Sequence, residues 1–314
     1  MIGTETDVRQ IGKFLDPLVT RTGEKRAAVR LKALRTLWLN TGTLCNIACA
    51  NCYIGSSPRN DSLVYLGRDE AARFVAEAQA LSPGLEEIGF TGGEPFMNPD
   101  IAGMLADALA TGLRVLVLTN AMKPLWNRRA DLAALIAAHP GRLALRVSLD
   151  HFSRGPHETV RGADTWAPAI EGLRWLAGTG AGLAVAARLV GPDDESELRR
   201  GFAALFAAEA IPVDASDPHA LVLFPEMDAT ADVPEITEAC WGILGRSPDD
   251  VMCASSRMVV RRKGAERASV VACTLLPHEA AFDLGPTLAG AAGPVPLNHR
   301  HCARFCVLGG AACS

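Results

Sequence analysis

Cys45, Cys49 and Cys52 stand at C-x3-C-x2-C spacing in the stretch Thr41-Gly42-Thr43-Leu44-Cys45-Asn46-Ile47-Ala48-Cys49-Ala50-Asn51-Cys52-Tyr53, directly after an apolar run. Soft thiolates of this kind take iron–sulfur or zinc. Four cysteines in one motif would close a metal site, whereas three leave one coordination position for a ligand from outside the chain. Zinc motifs usually pair two C-x2-C units, which favours an iron–sulfur cluster; a fragment of a zinc site, or thiols that merely pack in a core, are the alternatives.

Such a loop needs a scaffold, and the rest of the chain has the pattern of one. With 314 residues, 49% of them hydrophobic, there is enough for one large domain and a small one, burying roughly 75% of the unfolded surface. From Thr36, short apolar runs alternate with amphipathic stretches, the pattern of βα units on a parallel sheet. Strands are expected over residues 37–39, 87–90, 115–119, 143–149, 183–190 and 221–224, and helices over 68–81, 101–110, 128–139, 166–177 and 195–208. Ligands in such folds sit outside the carboxyl ends of the strands. Cys45 to Cys52 follow the first strand, Thr91-Gly92-Gly93-Glu94-Pro95 the second; Asn120 ends the third, Ser148 and Asp150 the fourth, and Arg188 lies near the end of the fifth.

The three-cysteine loop and the Gly92-Gly93-Glu94 segment together resemble the radical S-adenosylmethionine superfamily. That resemblance implies an α/β fold, a partial (β/α)6 barrel with an open side, in which three cysteines hold a [4Fe-4S] cluster and the S-adenosylmethionine amino and carboxylate groups bind its fourth iron. It gives Gly92, Gly93 and Glu94 the methionyl amino group: two glycines permit close approach, and a carboxylate pairs with an ammonium. Asn120, Ser148 and Asp150 stand where the family places polar groups around the ribose, and Arg188 where a fifth-strand residue meets the cofactor's carboxylate. A buried guanidinium needs an anion; a structural salt bridge to Asp150 is the alternative. Leu223 and Phe224 are candidates to flank adenine or to pack in the core. His157-Glu158 with Arg161-Gly162 resembles the family's H-x3-R-G segment and is expected to open the fourth helix, with His157 a candidate substrate-side acid or base, or else a surface cap. The family usually has an aromatic residue before the third cysteine, where this chain has Asn51, with Tyr53 just after.

Three segments are expected: a helical lead-in over 1–35, packed on the domain edge and too short for a peptide-recognition module; the barrel over 36–225; and a small metal-held domain over 226–314. In that tail Cys253, Gly264 and Cys273 are followed by Cys302-x3-Cys306-x6-Cys313. The pattern resembles twitch and SPASM domains, which hold auxiliary [4Fe-4S] clusters, and implies one such cluster here from Cys253, Cys273 and two or three of Cys302, Cys306 and Cys313. Cys240 reads as a core thiol. His299 and His301 flank Cys302, so a mixed Cys/His zinc site is the alternative. Gly178-Thr179-Gly180-Ala181-Gly182 leaves a helix and enters a strand, the reverse of a dinucleotide loop.

A formal charge of −4 gives no basic field for nucleic acid or an anionic membrane. No apolar run spans a bilayer and no signal-peptide pattern opens the chain, so a cytoplasmic protein is expected. The resemblance implies reductive cleavage of S-adenosylmethionine to a 5′-deoxyadenosyl radical that takes hydrogen from a peptide, protein or small-metabolite substrate, with an electron donor such as flavodoxin or ferredoxin. The alternative from another class is a non-catalytic iron–sulfur or zinc redox sensor.

Overall fold

The structure is a computed structural model that describes residues 12–189, 194–225 and 232–309. Residues 1–11 of the lead-in, Val190 at the end of the expected fifth strand, and Cys313 lie outside the described residues. After β1 (Ala28–Val29) come β2 (Thr36–Asn40), α1 (Arg68–Leu81), β3 (Glu87–Thr91), α2 (Ile101–Ala110), β4 (Arg114–Thr119), α3 (Lys123–Asn127) and α4 (Arg129–Ala138). Next follow β5 (Leu143–Ser148), α5 (Arg154–Arg161), α6 (Trp166–Ala177), β6 (Gly182–Leu189), α7 (Glu195–Ala208) and β7 (Leu221–Pro225). The tail adds α8 (Cys240–Leu244), β8 (Ser256–Val260), β9 (Ser269–Val271), β10 (Val295–Pro296) and a seven-residue π-helical segment, Cys302–Leu308.

Strands β2 to β7 are parallel and hydrogen-bonded in chain order, the six-unit half-barrel expected of the sequence. Both faces are buried, and alternation sorts the side chains. Leu37 and Leu39 join the layer between sheet and helices, which takes Phe74, Val75 and Ala78 from α1, Met104, Leu105 and Ala108 from α2, and Leu198, Phe202 and Phe206 from α7. These residues recur every three or four positions, which is why those stretches are helical. Trp38 turns the other way and packs with Leu63, Leu116, Met258, Val260 and Val271 inside the barrel.

The tail is not detached from this sheet. β8 pairs in parallel with β2, Thr36 against Ser256 through Leu39 against Val259, and β9 pairs antiparallel with β8, so the sheet has eight strands. The tail also has a core of its own, with Cys253, Cys302, Phe282 and Phe305 packed beside Val29 and Ala27 of the lead-in.

Two expectations need correction. Described residues of the lead-in form no helix: Asp16 accepts from the amides of Leu18 and Val19, and the chain turns instead. The lead-in is tied to the tail, through β1 paired with β10 and the buried Arg26–Glu235 ion pair at 2.5 Å. The helix expected over 128–139 is α4; the shorter α3 precedes it, and the two are separated at Arg128 with φ −109° and ψ 7°. His157 does not open the fourth helix; it lies in α5, a separate helix that stops at Gly162 with φ 98°.

Gly89 is the tightest glycine in the sheet, because a Cβ there would come within 2.4 Å of the Trp38 ring. Gly89→Ala is expected to cost about 1–3 kcal/mol in urea unfolding, and adding Trp38→Leu should recover part of that loss. Equal losses in the single and double variants would show that the two side chains do not compete for that space.

Candidate active site

The cysteine loop is held against the end of β3 by backbone. The Gly93 amide donates to Gly42 O at 2.8 Å and the Glu94 amide to Leu44 O at 3.1 Å. A Cβ at Gly92, where φ is 136°, would meet Gly42 O at 2.5 Å, and one at Gly93 would meet Leu44 O at 2.2 Å. Only glycine lets the two backbones approach so closely. Cys45, Cys49 and Cys52 then face a cavity that Gly92, Gly93, Asn120, Ser148, Asp150 and Arg188 also line. The structure therefore gathers seven of the eight expected cofactor-side groups, counting the thiols as one group and the other residues singly.

Glu94 is the eighth, and it lies behind the cavity wall. It is 1% exposed and is absent from the cavity wall. Its carboxylate accepts from Thr119 Oγ1 at 2.9 Å, the Asn120 amide at 2.8 Å and the Phe96 amide at 3.2 Å. Those three donors fix Glu94 between the end of β4 and the turn after β3. Burial pushes the carboxyl up to about 7 against the pull of these hydrogen bonds. Asn120, thereby positioned, turns its Nδ2 to Asn46 Oδ1 at 2.9 Å and to the Cys45 sulfur at 3.8 Å.

Asp150 and Arg188 do form the salt bridge, at 3.0 Å, and Asp150 takes a second cation, Arg161, at 2.7 Å. Burial alone would raise the Asp150 carboxyl, but Arg161 and Arg188 hold it down to about 2. Arg188 also donates to the carbonyls of Ala50 and Asn51, at 3.1 and 3.3 Å, tying β6 to the cysteine loop. One carboxylate between two arginines leaves the rim with a positive excess, suited to an anionic group on a bound molecule.

His157 belongs neither to the cavity nor to the surface. It is fully buried, its ring 5.4 Å from that of Trp166, and burial, with Arg161 adding, pushes it down to about 4. The imidazole lies away from the cavity wall. Arg161, one turn later in the same helix, is the group that reaches the wall; its signal was the i, i+4 spacing within the His157-to-Arg161 segment. Other wall residues carried no sequence signal: Trp38, Ser56, Arg146, and Thr274, Leu275 and Phe305 from the tail. Phe224 lines the cavity, while Leu223 packs on the main core.

Burial pushes the Cys45 thiol up to about 12, with Glu94, Cys49 and Cys52 adding to the rise. Burial raises Cys49 too, against the nearby Arg161. Thiols this reluctant to ionise give up their protons to a metal centre, which supplies the missing positive charge. The same holds in the tail, where Cys253, Cys273, Cys302 and Cys306 line one small apolar cavity with His301. Burial pushes Cys253 up to about 11 and Cys302 well above its ordinary value. Among the described residues no three His, Cys, Asp or Glu side chains converge on a single-ion site. Cys240 lies apart, accepting from the Thr237 amide at 3.4 Å. His299 Nδ1 is taken by the His301 amide at 3.1 Å.

The sequence profile of the Radical SAM superfamily matches residues 39–200. Among characterised proteins, GTP 3′,8-cyclase of Stenotrophomonas maltophilia (strain K279a) is 31% identical over 144 residues, covering 44% of this chain and 40% of the cyclase. Mycofactocin maturase MftC of Mycobacterium ulcerans (strain Agy99) is 29% identical over 136 residues, covering 43% and 34%. The chain thus spans less than half the length of these relatives. Among solved structures, Streptococcus suis SuiB bound to S-adenosylmethionine superposes with a TM-score of 0.59 at 11% identity, covering 81% of this chain and 63% of SuiB. At that identity the likeness is one of fold.

Glu94 gives a pH test of the site's architecture. Its folded-state pKa, about 7, lies above the ordinary 4.5, so its contribution is fully present below pH 4.5 and is lost as pH rises through 7. Between those values the stability difference should move in favour of Glu94→Gln by on the order of 3 kcal/mol, read from urea unfolding of the metal-free protein. A pH-independent difference would mean that Glu94 is ionised in the fold throughout.

Proposed function

The chain belongs to the Radical SAM superfamily, and from that premise we propose that it modifies a peptide or protein through a 5′-deoxyadenosyl radical. Enzymes of this superfamily use a [4Fe-4S] cluster and S-adenosylmethionine. The observation that carries the reading is the convergence of Cys45, Cys49 and Cys52 with Gly92 and Gly93 on one wall of the cavity. When bound, the cluster supplies the electron that splits the S-adenosylmethionine sulfonium into methionine and the radical that takes a hydrogen atom from substrate.

This chain's residues do the rest. Cys45, Cys49 and Cys52 would hold the cluster, and Gly92, Gly93 and Asn120 form the adjoining wall on which the methionyl group would lie. The Asp150, Arg161 and Arg188 rim would orient the cofactor's polar groups. Leu275, Phe224 and Phe305 add an apolar wall that excludes water from a radical. In the tail, Cys253, Cys273, Cys302 and Cys306 would hold the auxiliary [4Fe-4S] cluster, with Cys313 outside the described residues. A small flavodoxin or ferredoxin is the class of electron donor that suits such chemistry.

Support for a peptide comes from the company the chain keeps. MftC is a maturase, AlbA of Bacillus subtilis (strain 168) is a bacteriocin biosynthesis protein, and SuiB has been solved with its precursor peptide. The second reading, a small-molecule substrate, is favoured by the sequence likeness to GTP 3′,8-cyclase.

Anaerobic reconstitution is expected to give about eight irons per chain, four for each cubane, and 5′-deoxyadenosine on addition of dithionite and S-adenosylmethionine. Cys45→Ala should abolish that product; full activity in the variant would remove the proposal. Peptides, rather than nucleotides, are expected to accelerate 5′-deoxyadenosine release, and acceleration by nucleotides alone would favour the second reading.

Cys273→Ala is expected to lose about four irons while cleavage of S-adenosylmethionine persists. Iron equal to that of the wild type would take Cys273 out of the ligand set.

A further inference from the structure

The tail contains a charged side chain that nothing above uses. Arg257, in β8, is fully buried. Its guanidinium donates to four backbone carbonyls: Cys253 O at 2.6 Å, Ser256 O at 2.8 Å, Ala291 O at 2.9 Å and Gly293 O at 3.5 Å. Carbonyls satisfy its N–H groups but do not balance its charge, and a buried cation requires a counter-charge. Among the described residues no carboxylate forms an ion pair with Arg257. The shortest of its hydrogen bonds runs to the carbonyl of Cys253, so the guanidinium is fixed beside the segment that presents that thiol, and Cys273 shares the same tail cavity with Cys253.

We propose that Arg257 is the counter-cation of the tail's thiolate site, a positioning residue that raises the reduction potential of the four-iron cluster held there. The inference rests on the auxiliary cluster proposed above. On reduction the cluster gains one electron, with no bond made or broken, and so becomes more negative. A fixed positive charge in a buried, low-dielectric setting favours that form, and net charge and nearby hydrogen bonds are the main protein controls on such potentials. The short Arg257–Cys253 hydrogen bond runs to the ligand's own carbonyl, so the guanidinium is anchored to the element that presents the thiolate.

The test is a dithionite titration of the anaerobically reconstituted full chain, followed by electron paramagnetic resonance, with iron counted in each sample. Arg257→Gln keeps donors for the carbonyls and removes the charge. It is expected to lower the reduced-to-oxidised ratio of the tail signal about tenfold at a fixed poise, about 59 mV for a one-electron couple. The signal from the Cys45, Cys49 and Cys52 cluster should stay where it was. Arg257→Lys keeps the charge without the planar fork and should remain within about threefold of the wild type. An unmoved tail potential in Arg257→Gln at full iron overturns the inference alone, whereas about four irons in the wild type overturns the auxiliary-cluster reading and the inference with it. Should the Gln variant not fold, the Lys variant decides: a wild-type potential supports the charge, and a shift of about tenfold assigns the effect to the hydrogen-bonding fork and overturns it.

Discussion

The close approach of two backbones, Gly42 to Leu44 against Gly92 to Glu94, is the contact on which the site depends. With amides donating across it at 2.8 and 3.1 Å and Thr41 Oγ1 donating to Thr91 O at 2.9 Å, the cysteine loop is registered on the sheet without the use of its cysteines. All three thiols therefore remain available to face the cavity. A Cβ at Gly93, 2.2 Å from Leu44 O, would lift the loop off β3 and move every prospective ligand at once. The glycines serve the loop first and a cofactor second.

Charge burial follows from this frame. Glu94 is fastened beneath the loop by three donors, and one of them, the Asn120 amide, belongs to a residue of the cavity wall. Above it, Asp150 sits between Arg161 and Arg188, and Arg188 reaches back to the carbonyls of Ala50 and Asn51. The cysteine loop is thus held from below by β3 and from the side by β6. Buried ions of this kind are tolerated where their partners are complete, and here completeness coincides with the rim of a cavity.

The barrel was legible because its signals are local. Apolar residues at i, i+3, i+4 and i+7 in α1 and α2, and fully buried runs such as β2, read directly as elements. Helix α5 was not legible, since Arg154-Gly155-Pro156-His157 opens with turn residues and buries only His157 and Val160. The lead-in failed for a different reason: its order comes from pairing with residues more than two hundred positions away, as in Arg26 with Glu235. The same distance hides Thr274, Leu275 and Phe305 as cavity residues. Motif spacing brought the thiols to the cavity, but it could not show that Glu94 would be buried and held by Thr119 and the amides of Asn120 and Phe96.

The parallel pairing of β8 with β2 has a consequence for how the chain may be divided. β2 carries the cysteine loop at its carboxyl end, and β8 covers what would otherwise be its open edge. A chain ended after β7 would present a row of unsatisfied amides and carbonyls beside its most reactive loop, the kind of edge that recruits strands from other molecules. The tail therefore covers a sheet edge as well as presenting thiols, and residues 36–225 cut from it would lose that cover.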